Sequence, residues 1–270
     1  FLDIYNQDKS ILKHIKKDIN KIIIKSDYIL GNKVAEFEKK FSKYCNVKYA
    51  VGCANGTDAL YLAIKSLNLP KNSEVILPAM TYCSTLFAVI EAGHKPILVD
   101  ISKNKSTLCV DSLKKKINSK TKLIIMVHLY GETCNYSEIK KIIKNKKIYL
   151  IEDAAQAHGA YYSSYNKKIM AGSMGNLACF SFYPGKILGA YGDAGIITTN
   201  NKKKYLLLKK LRNLGSDKKF IHDVVGINSR LDTIQAVILL KKIKYLDSLN
   251  YKRKKIAGMY NELISNKNII

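Results

Sequence analysis

From residue 49 onward, short apolar runs alternate with longer segments whose apolar positions recur every three or four residues. The runs cover residues 49–52, 75–78, 96–99, 123–127, 148–151, 178–182 and 195–199. Each is strand-sized, and most carry Val, Ile or Thr. Between them, residues 58–67, 84–92, 111–117 and 136–143 read as helices. Apolar strands alternating with helices predict an α/β fold, a largely parallel sheet covered on both faces. Ahead of the first run, residues 8–24 form a Lys-rich amphipathic helix pattern, and residues 33–44 form a second after Gly31-Asn32. Beyond residue 200 the pattern is helical again, over 203–214, 232–246 and 251–264. No repeat or low-complexity linker divides the chain. Residues 1–250 are expected to form one large domain, and residues 251–270 to begin a smaller C-terminal one.

Composition fits this reading. Of 270 residues, 47% are hydrophobic and 25% charged, which suits a packed domain rather than disorder. The net charge of +25 raises the question of a nucleic-acid partner. Only three of the 46 basic residues are Arg, however: Arg212, Arg230 and Arg253. Bidentate phosphate or base contacts favour Arg, and the lysines are scattered along the chain. We therefore expect no nucleic acid, although the positive field would attract a substrate carrying a diphosphate. The six cysteines show neither a CxxC pair nor zinc spacing. We expect most to be small buried core residues in a reducing, cytoplasmic setting. The longest clean apolar runs are strand-sized, so no membrane span is expected.

Three loops after strand-like runs carry the candidate chemistry, since ligands in open α/β sheets lie beyond the carboxyl ends of strands. In the first, Asn55-Gly56-Thr57-Asp58-Ala59-Leu60 opens a helix. Gly56 permits close backbone approach, and Thr57 offers a hydroxyl among free amides, an arrangement suited to phosphate. Taken alone, the segment is better explained by Asn55 or Thr57 as a simple helix cap. In the second, Ile151-Glu152-Asp153-Ala154-Ala155-Gln156-Ala157-His158-Gly159 places two acids at a strand end. Asp153 there could keep a pyridinium nitrogen protonated; with Gln156 three residues on, a capping box is the competing reading. In the third, Ser181-Phe182-Tyr183-Pro184-Gly185-Lys186 is followed by glycines at 189, 192 and 195. Lys186 is the one basic residue between Lys168 and Lys202. A lysine desolvated in such surroundings loses pKa and becomes a nucleophilic amine.

In this order, and together with Val127-His128-Leu129-Tyr130-Gly131 and Gly226-Ile227-Asn228-Ser229-Arg230-Leu231-Asp232, these segments resemble the DegT/DnrJ/EryC1/StrS family of nucleotide-sugar aminotransferases. The resemblance covers nearly the whole chain. It implies fold type I of the pyridoxal 5'-phosphate (PLP) enzymes, with a mostly parallel seven-stranded sheet. It also implies a homodimer with shared active sites and a C-terminal small domain that is largely missing here. Carried over by motif, Lys186 holds PLP as a Schiff base, Asp153 pairs with the pyridine nitrogen, and Gln156 reaches the phenolic oxygen. Thr57, Ser181 and the Gly56 backbone hold the phosphate, Tyr82 stacks on the ring, and Asn228 reaches the phosphate of the neighbouring subunit. Ordinary core packing is the other reading of Tyr82. Arg230 is left between a substrate anion and a structural ion pair.

The implied reaction moves an amino group from an amino-acid donor, glutamate, to a nucleotide-linked keto-sugar. The stretch from Tyr183 to Gly195 resembles members that aminate C3 of dTDP-3-keto-6-deoxyhexoses. Amination at C4 of a UDP-sugar and an inactive PLP-binding regulator are the alternatives.

Overall fold

The computed structural model describes residues 3–164, 167–218 and 220–266. In chain order the elements begin with helices α1 (Ile4–Asp8), α2 (Leu12–Lys25) and α3 (Asn32–Tyr44). Strand β1 (Tyr49–Cys53), α4 (Gly56–Leu67), β2 (Glu74–Pro78), α5 (Cys83–Glu91), β3 (Lys95–Val99), α6 (Val110–Lys116) and β4 (Thr121–Val127) follow. Next come α7 (Tyr136–Ile143), β5 (Tyr149–Asp153), β6 (Tyr161–Ser164), β7 (Lys167–Met170), β8 (Leu177–Ser181) and β9 (Gly195–Thr199). Helices α8 (Lys202–Leu211), α9 (Thr233–Lys242) and α10 (Leu246–Leu263) complete the described chain.

All seven predicted strands lie in one seven-stranded sheet of order β1-β9-β8-β5-β4-β2-β3. β8, β5, β4, β2 and β3 run parallel to their neighbours in that series, while β9 runs antiparallel to both β8 and β1. The mostly parallel sheet expected from the pattern is therefore present, with one reversed strand. The edge strand β3 is the place where Pro96, which has no amide to donate, is tolerated.

The central strands are apolar throughout because both faces are covered. Along β4, Ile124 and Met126 pack towards Phe37 and Phe41 of α3 and Ile139 of α7. Leu123, Ile125 and Val127 pack on the opposite face, towards Leu60 and Ile64 of α4 and Leu208 of α8. This is the two-residue alternation of a strand with two cores. Phe182, just past β8, sits edge-on to Phe37 and Phe41, with ring centroids 5.3 Å apart in each case. Truncating such a buried Phe costs about 3–5 kcal/mol.

Three sequence readings are corrected. The N-terminal helix expected over 8–24 starts later, at Leu12, and a separate short helix ends at Asp8, whose buried carboxylate accepts from Lys242 Nζ (2.7 Å) and from the Tyr191 hydroxyl (2.9 Å). The two C-terminal helices meet at a 3-10 turn over Ile243–Tyr245 instead of near residue 250. No Gly or Pro interrupts residues 246–257, and α10 runs through them unbroken. The β6–β7 hairpin was not foreseen: Lys167 and Lys168 hide its strand pattern, and its tie to α7 is tertiary, a 2.7 Å hydrogen bond between the Tyr162 and Ser137 hydroxyls.

Candidate active site

Three of the loops singled out in the sequence converge at the carboxyl ends of β5 and β8 and on the N-terminus of α4. They line a cavity of about 530 Å³, to which Gly56, Thr57, Tyr82, Asp153, Gln156, Ser181 and Lys186 all contribute. Asn228 does not line it; its backbone bridges to Asn213.

The α4 end follows from local chemistry. Asn55 is the N-cap, and its side chain accepts from the Asp58 amide at 2.8 Å. The first-turn amides of a helix have no partner within it, so those of Gly56 and Thr57 remain for a ligand. A Cβ at position 56 would stand 2.6 Å from that of Ser181, so glycine alone lets α4 approach the end of β8. Thr57 Oγ1 donates to Ser84 Oγ at 2.8 Å, and Ser181 Oγ accepts from the Tyr183 amide at 3.3 Å. Three hydroxyls thus surround a helix N-terminus, where the backbone dipoles favour an anion.

At the end of β5, neighbouring carboxylates point to opposite faces. Asp153 Oδ2 accepts from the Thr85 hydroxyl at 2.7 Å, and Oδ1 accepts from the Ala155 amide at 3.2 Å. Burial raises the Asp153 pKa above the usual carboxylate value, against the pull of these two donors and of the His128 and Lys186 charges. No helix starts here: residues 154–160 form turns, so the capping-box reading of Asp153 and Gln156 is set aside. Gln156 Oε1 instead accepts from the Tyr130 amide at 2.8 Å. That bond assigns the amide orientation and leaves Nε2 as a donor.

Lys186 lies between β8 and β9 in a segment without regular structure. The Phe182 amide donates to Ala194 O (2.7 Å), and the Ala190 amide donates to Phe182 O (2.8 Å), which closes the base of the loop. The Lys186 amide turns back onto Tyr183 O at 2.8 Å. A Cβ on Gly189 would come within 2.3 Å of Pro184 O, so the loop folds this tightly only with glycine there. Burial lowers the Lys186 pKa, partly offset by the Asp153 charge. This is the desolvated amine expected from the sequence.

Tyr82 is 70% exposed at the mouth of the cavity, so the core-packing reading fails. Arg230 Nη1 donates to Asn213 Oδ1 at 3.2 Å, which ties it to its own loop. Four cysteines are buried, Cys109 is intermediate, Cys83 is exposed, and all six are free. No cluster that could hold a metal occurs among the described residues. No helix among them is long and apolar enough to cross a membrane.

Sequence reasoning missed Thr81, Thr85, Ser84 and Asp193, of which all but the fully buried Thr85 line the cavity. The Thr81/Thr85 pair at i, i+4 was visible, but nothing in the sequence places α5 against Asp153.

Comparison with known proteins bears on the same residues. The family model described as the DegT/DnrJ/EryC1/StrS aminotransferase family matches residues 9–269. The chain is 44% identical over 266 residues to the dTDP-3-amino-3,6-dideoxy-alpha-D-galactopyranose transaminase of Aneurinibacillus thermoaerophilus, covering 98% of this chain and 72% of that one. It is 38% identical over 261 residues to the UDP-2-acetamido-2-deoxy-3-oxo-D-glucuronate aminotransferase of Pseudomonas aeruginosa, covering 97% and 72%. The structure superposes with a TM-score of 0.92 on S. venezuelae DesV in complex with a ketimine intermediate, at 36% identity and covering 96% of this chain and 69% of that one.

Proposed function

The chain belongs to the DegT/DnrJ/EryC1/StrS aminotransferase family, and from that premise we propose that it transfers an amino group from glutamate to C3 of a dTDP-linked 3-keto-6-deoxyhexose. The observation that carries this reading is a single cavity holding a desolvated amine, Lys186, and a buried carboxylate, Asp153, beside the open N-terminus of α4. Two relatives whose names specify a 3-amino or 3-oxo sugar, one dTDP-linked and one UDP-linked, support C3.

The family's cofactor is PLP, and the residues present fit it. The Gly56 and Thr57 amides with the Thr57 and Ser181 hydroxyls would hold its phosphate, and Asp153 its ring nitrogen. Gln156 Nε2 would donate to its phenolic oxygen, and the exposed Tyr82 ring would cover its face. Asn228 would serve the site of a second copy, in a homodimer. When bound, the group supplies an electron-withdrawing ring that takes up charge from a carbon losing its proton.

The chain's own residues supply the rest. Lys186 anchors the cofactor at rest. When not engaged in holding the cofactor, Nζ would be a neutral base within the cavity. It takes the proton from the donor's α-carbon and, in the other half of the reaction, returns one to the sugar carbon that gains nitrogen. Positioned proton transfer of this kind is worth about 10²–10⁴-fold. The lowered pKa keeps more of the amine unprotonated near neutral pH. Asp153 keeps the opposite end of the site negative. Residues 1–250 form the cofactor-binding domain in this proposal and residues 251–270 begin a smaller one, so that the unbroken helix α10 (Leu246–Leu263) carries the chain from one to the other.

The test is the visible spectrum of the chain with PLP before and after borohydride, wild type against Lys186→Ala, followed by glutamate and a panel of keto-sugar nucleotides. We expect a borohydride-sensitive band only with Lys186, and an aminated product from the dTDP-3-keto sugar. Product only from a UDP-4-keto sugar moves the assignment to C4. A bound cofactor with no product from any sugar supports a regulator.

A further inference from the structure

The carboxylate of Asp153 does not stand alone at the back of the cavity. Thr85, in the first turn of α5, is completely buried, and its Oγ1 donates to Asp153 Oδ2 at 2.7 Å. Thr85 Oγ1 also lies 2.7 Å from Thr81 Oγ1, and distance alone leaves the donor of that second bond open. Chemistry settles it. An ionised carboxylate only accepts, so the single Thr85 proton goes to Asp153, and Thr81 must donate to Thr85. A threonine in a helix usually gives its hydroxyl to a carbonyl one turn back. Thr85 instead reaches a residue 68 positions away on another element.

We infer that the relay Thr81→Thr85→Asp153 is a positioning device that fixes Oδ2 and keeps this carboxylate ionised, so that it presents a full negative charge to the cofactor's ring nitrogen. This rests on the reading of Asp153 given above. The groups facing Asp153 come from the neighbouring elements: His128 after β4, Cys179 on β8, and Lys186 in the loop beyond it, while Glu152, next to it on β5, points to the other face. Of these, His128 and Lys186 favour the ionised form. Together with the Ala155 amide, Thr85 is one of two hydrogen-bond donors to Asp153 among the described residues.

The sign follows. A donor to a carboxylate stabilises its charged form, so removing it makes Asp153 take up a proton at higher pH. Cofactor affinity is the readout, measured by equilibrium dialysis with PLP between pH 5 and 9, with the pH titration of the bound chromophore's visible band as a second. Thr85→Val keeps the volume and loses the hydroxyl; Thr85→Ser keeps the hydroxyl. We expect Thr85→Val to bind PLP about tenfold more weakly at pH 7, and the acid limb of its affinity to move up by about one pH unit. Thr85→Ser should return to within about twofold of wild type. If Thr85→Val does not fold, Thr85→Ala gives the same comparison with less crowding. Unfolding curves without PLP separate a general loss of stability from the shifted limb. A hydroxyl-free variant with wild-type affinity and limb, beside an Asp153→Asn variant that binds weakly, overturns the relay and leaves the site standing. An Asp153→Asn variant that binds as wild type removes the premise, and the relay with it.

Discussion

Glu152 and Asp153 are adjacent in β5, and their side chains emerge on opposite faces of the same sheet. Glu152 points into the layer containing Phe41 and Phe180, and every part of its carboxylate is in use. Oε1 accepts from the Met174 amide at 2.7 Å and the Gly175 amide at 2.8 Å; Oε2 accepts from the Gly172 amide at 2.8 Å and lies 3.1 Å from His128 Nε2. Burial disfavours a charged His128 ring, but its hydrogen bonds with Cys134 and Glu152 raise its pKa to about 10, which keeps a proton on Nε2, facing Glu152. Asp153 has two donors on the described chain and an open cavity before it. A carboxylate has about four lone-pair positions. In Glu152 the fold fills them; in Asp153 it leaves capacity. Burial alone therefore does not mark a functional acid, because both residues are buried. What marks it is unspent acceptor capacity turned towards space that a ligand can enter.

The largest expected effect breaks the comparison on the functional side. Asp153→Asn should lower transamination by about 10³-fold, because a neutral amide cannot pair with a protonated ring nitrogen in the transition state. Its stability should be unchanged or slightly raised, since the mutation removes a charge that burial already disfavours. Steady-state kinetics and urea unfolding of one preparation check both halves. Equal losses of activity and stability would mean that Asp153 is structural like its neighbour.

Glu152→Gln should do the reverse at a somewhat smaller cost. The added NH₂ must face at least one amide that was donating to Glu152, leaving buried donors unpaired. We expect about 3 kcal/mol of lost stability in urea unfolding. Activity per folded molecule should stay within about threefold, since no Glu152 atom reaches the cavity. A stable variant with poor turnover would instead place Glu152 in the chemistry through His128, which does line the cavity.

Much of this contrast was legible in the chain. The run Leu150-Ile151-Glu152-Asp153 announces a strand ending in acids, and the two-residue period puts the acids on opposite faces. Lys186 stood out because basic residues vanish around it while glycines accumulate. The seven strands were found for the same reason: both faces of the sheet are covered, so each reads as an unbroken apolar run. What could not be read was which acid the fold would satisfy. That depends on the turn over residues 171–175 folding back beneath β5 and on α5 bringing Thr85 to the other side. Both are long-range placements with no periodic signature. The β6–β7 hairpin was lost for a related reason, as its polar strands are fixed by contacts outside the hairpin.

His158 extends the comparison to a group that is neither satisfied nor offered to a ligand. It is almost completely buried, with its ring 5.4 Å from those of Phe180 and Phe182, and neither ring nitrogen finds a hydrogen-bond partner of good geometry. Burial, and then the Lys186 charge, push its pKa down to about 3, against a weaker pull from the Ser181 backbone. The folded protein thus holds this imidazole neutral, while the unfolded chain protonates it near its ordinary pKa of about 6.5. Above that pH the two states bind the same number of protons, and His158 adds no pH dependence. Below it, protons favour the unfolded chain, and stability falls with pH until about 3, where the folded state would protonate as well. Between pH 7.5 and pH 5 the loss should reach about 2 kcal/mol. Other groups also change charge as the pH falls, so the test is a difference: urea unfolding of wild type and His158→Gln at both pH values. The variant should be less stable than wild type at pH 7.5, where it disturbs the aromatic packing, and the gap should narrow by about 2 kcal/mol at pH 5. A constant gap would mean that His158 is protonated, or already partnered, in the folded protein. The core face of the sheet would then tolerate a charge that the argument from Glu152 says it must pair.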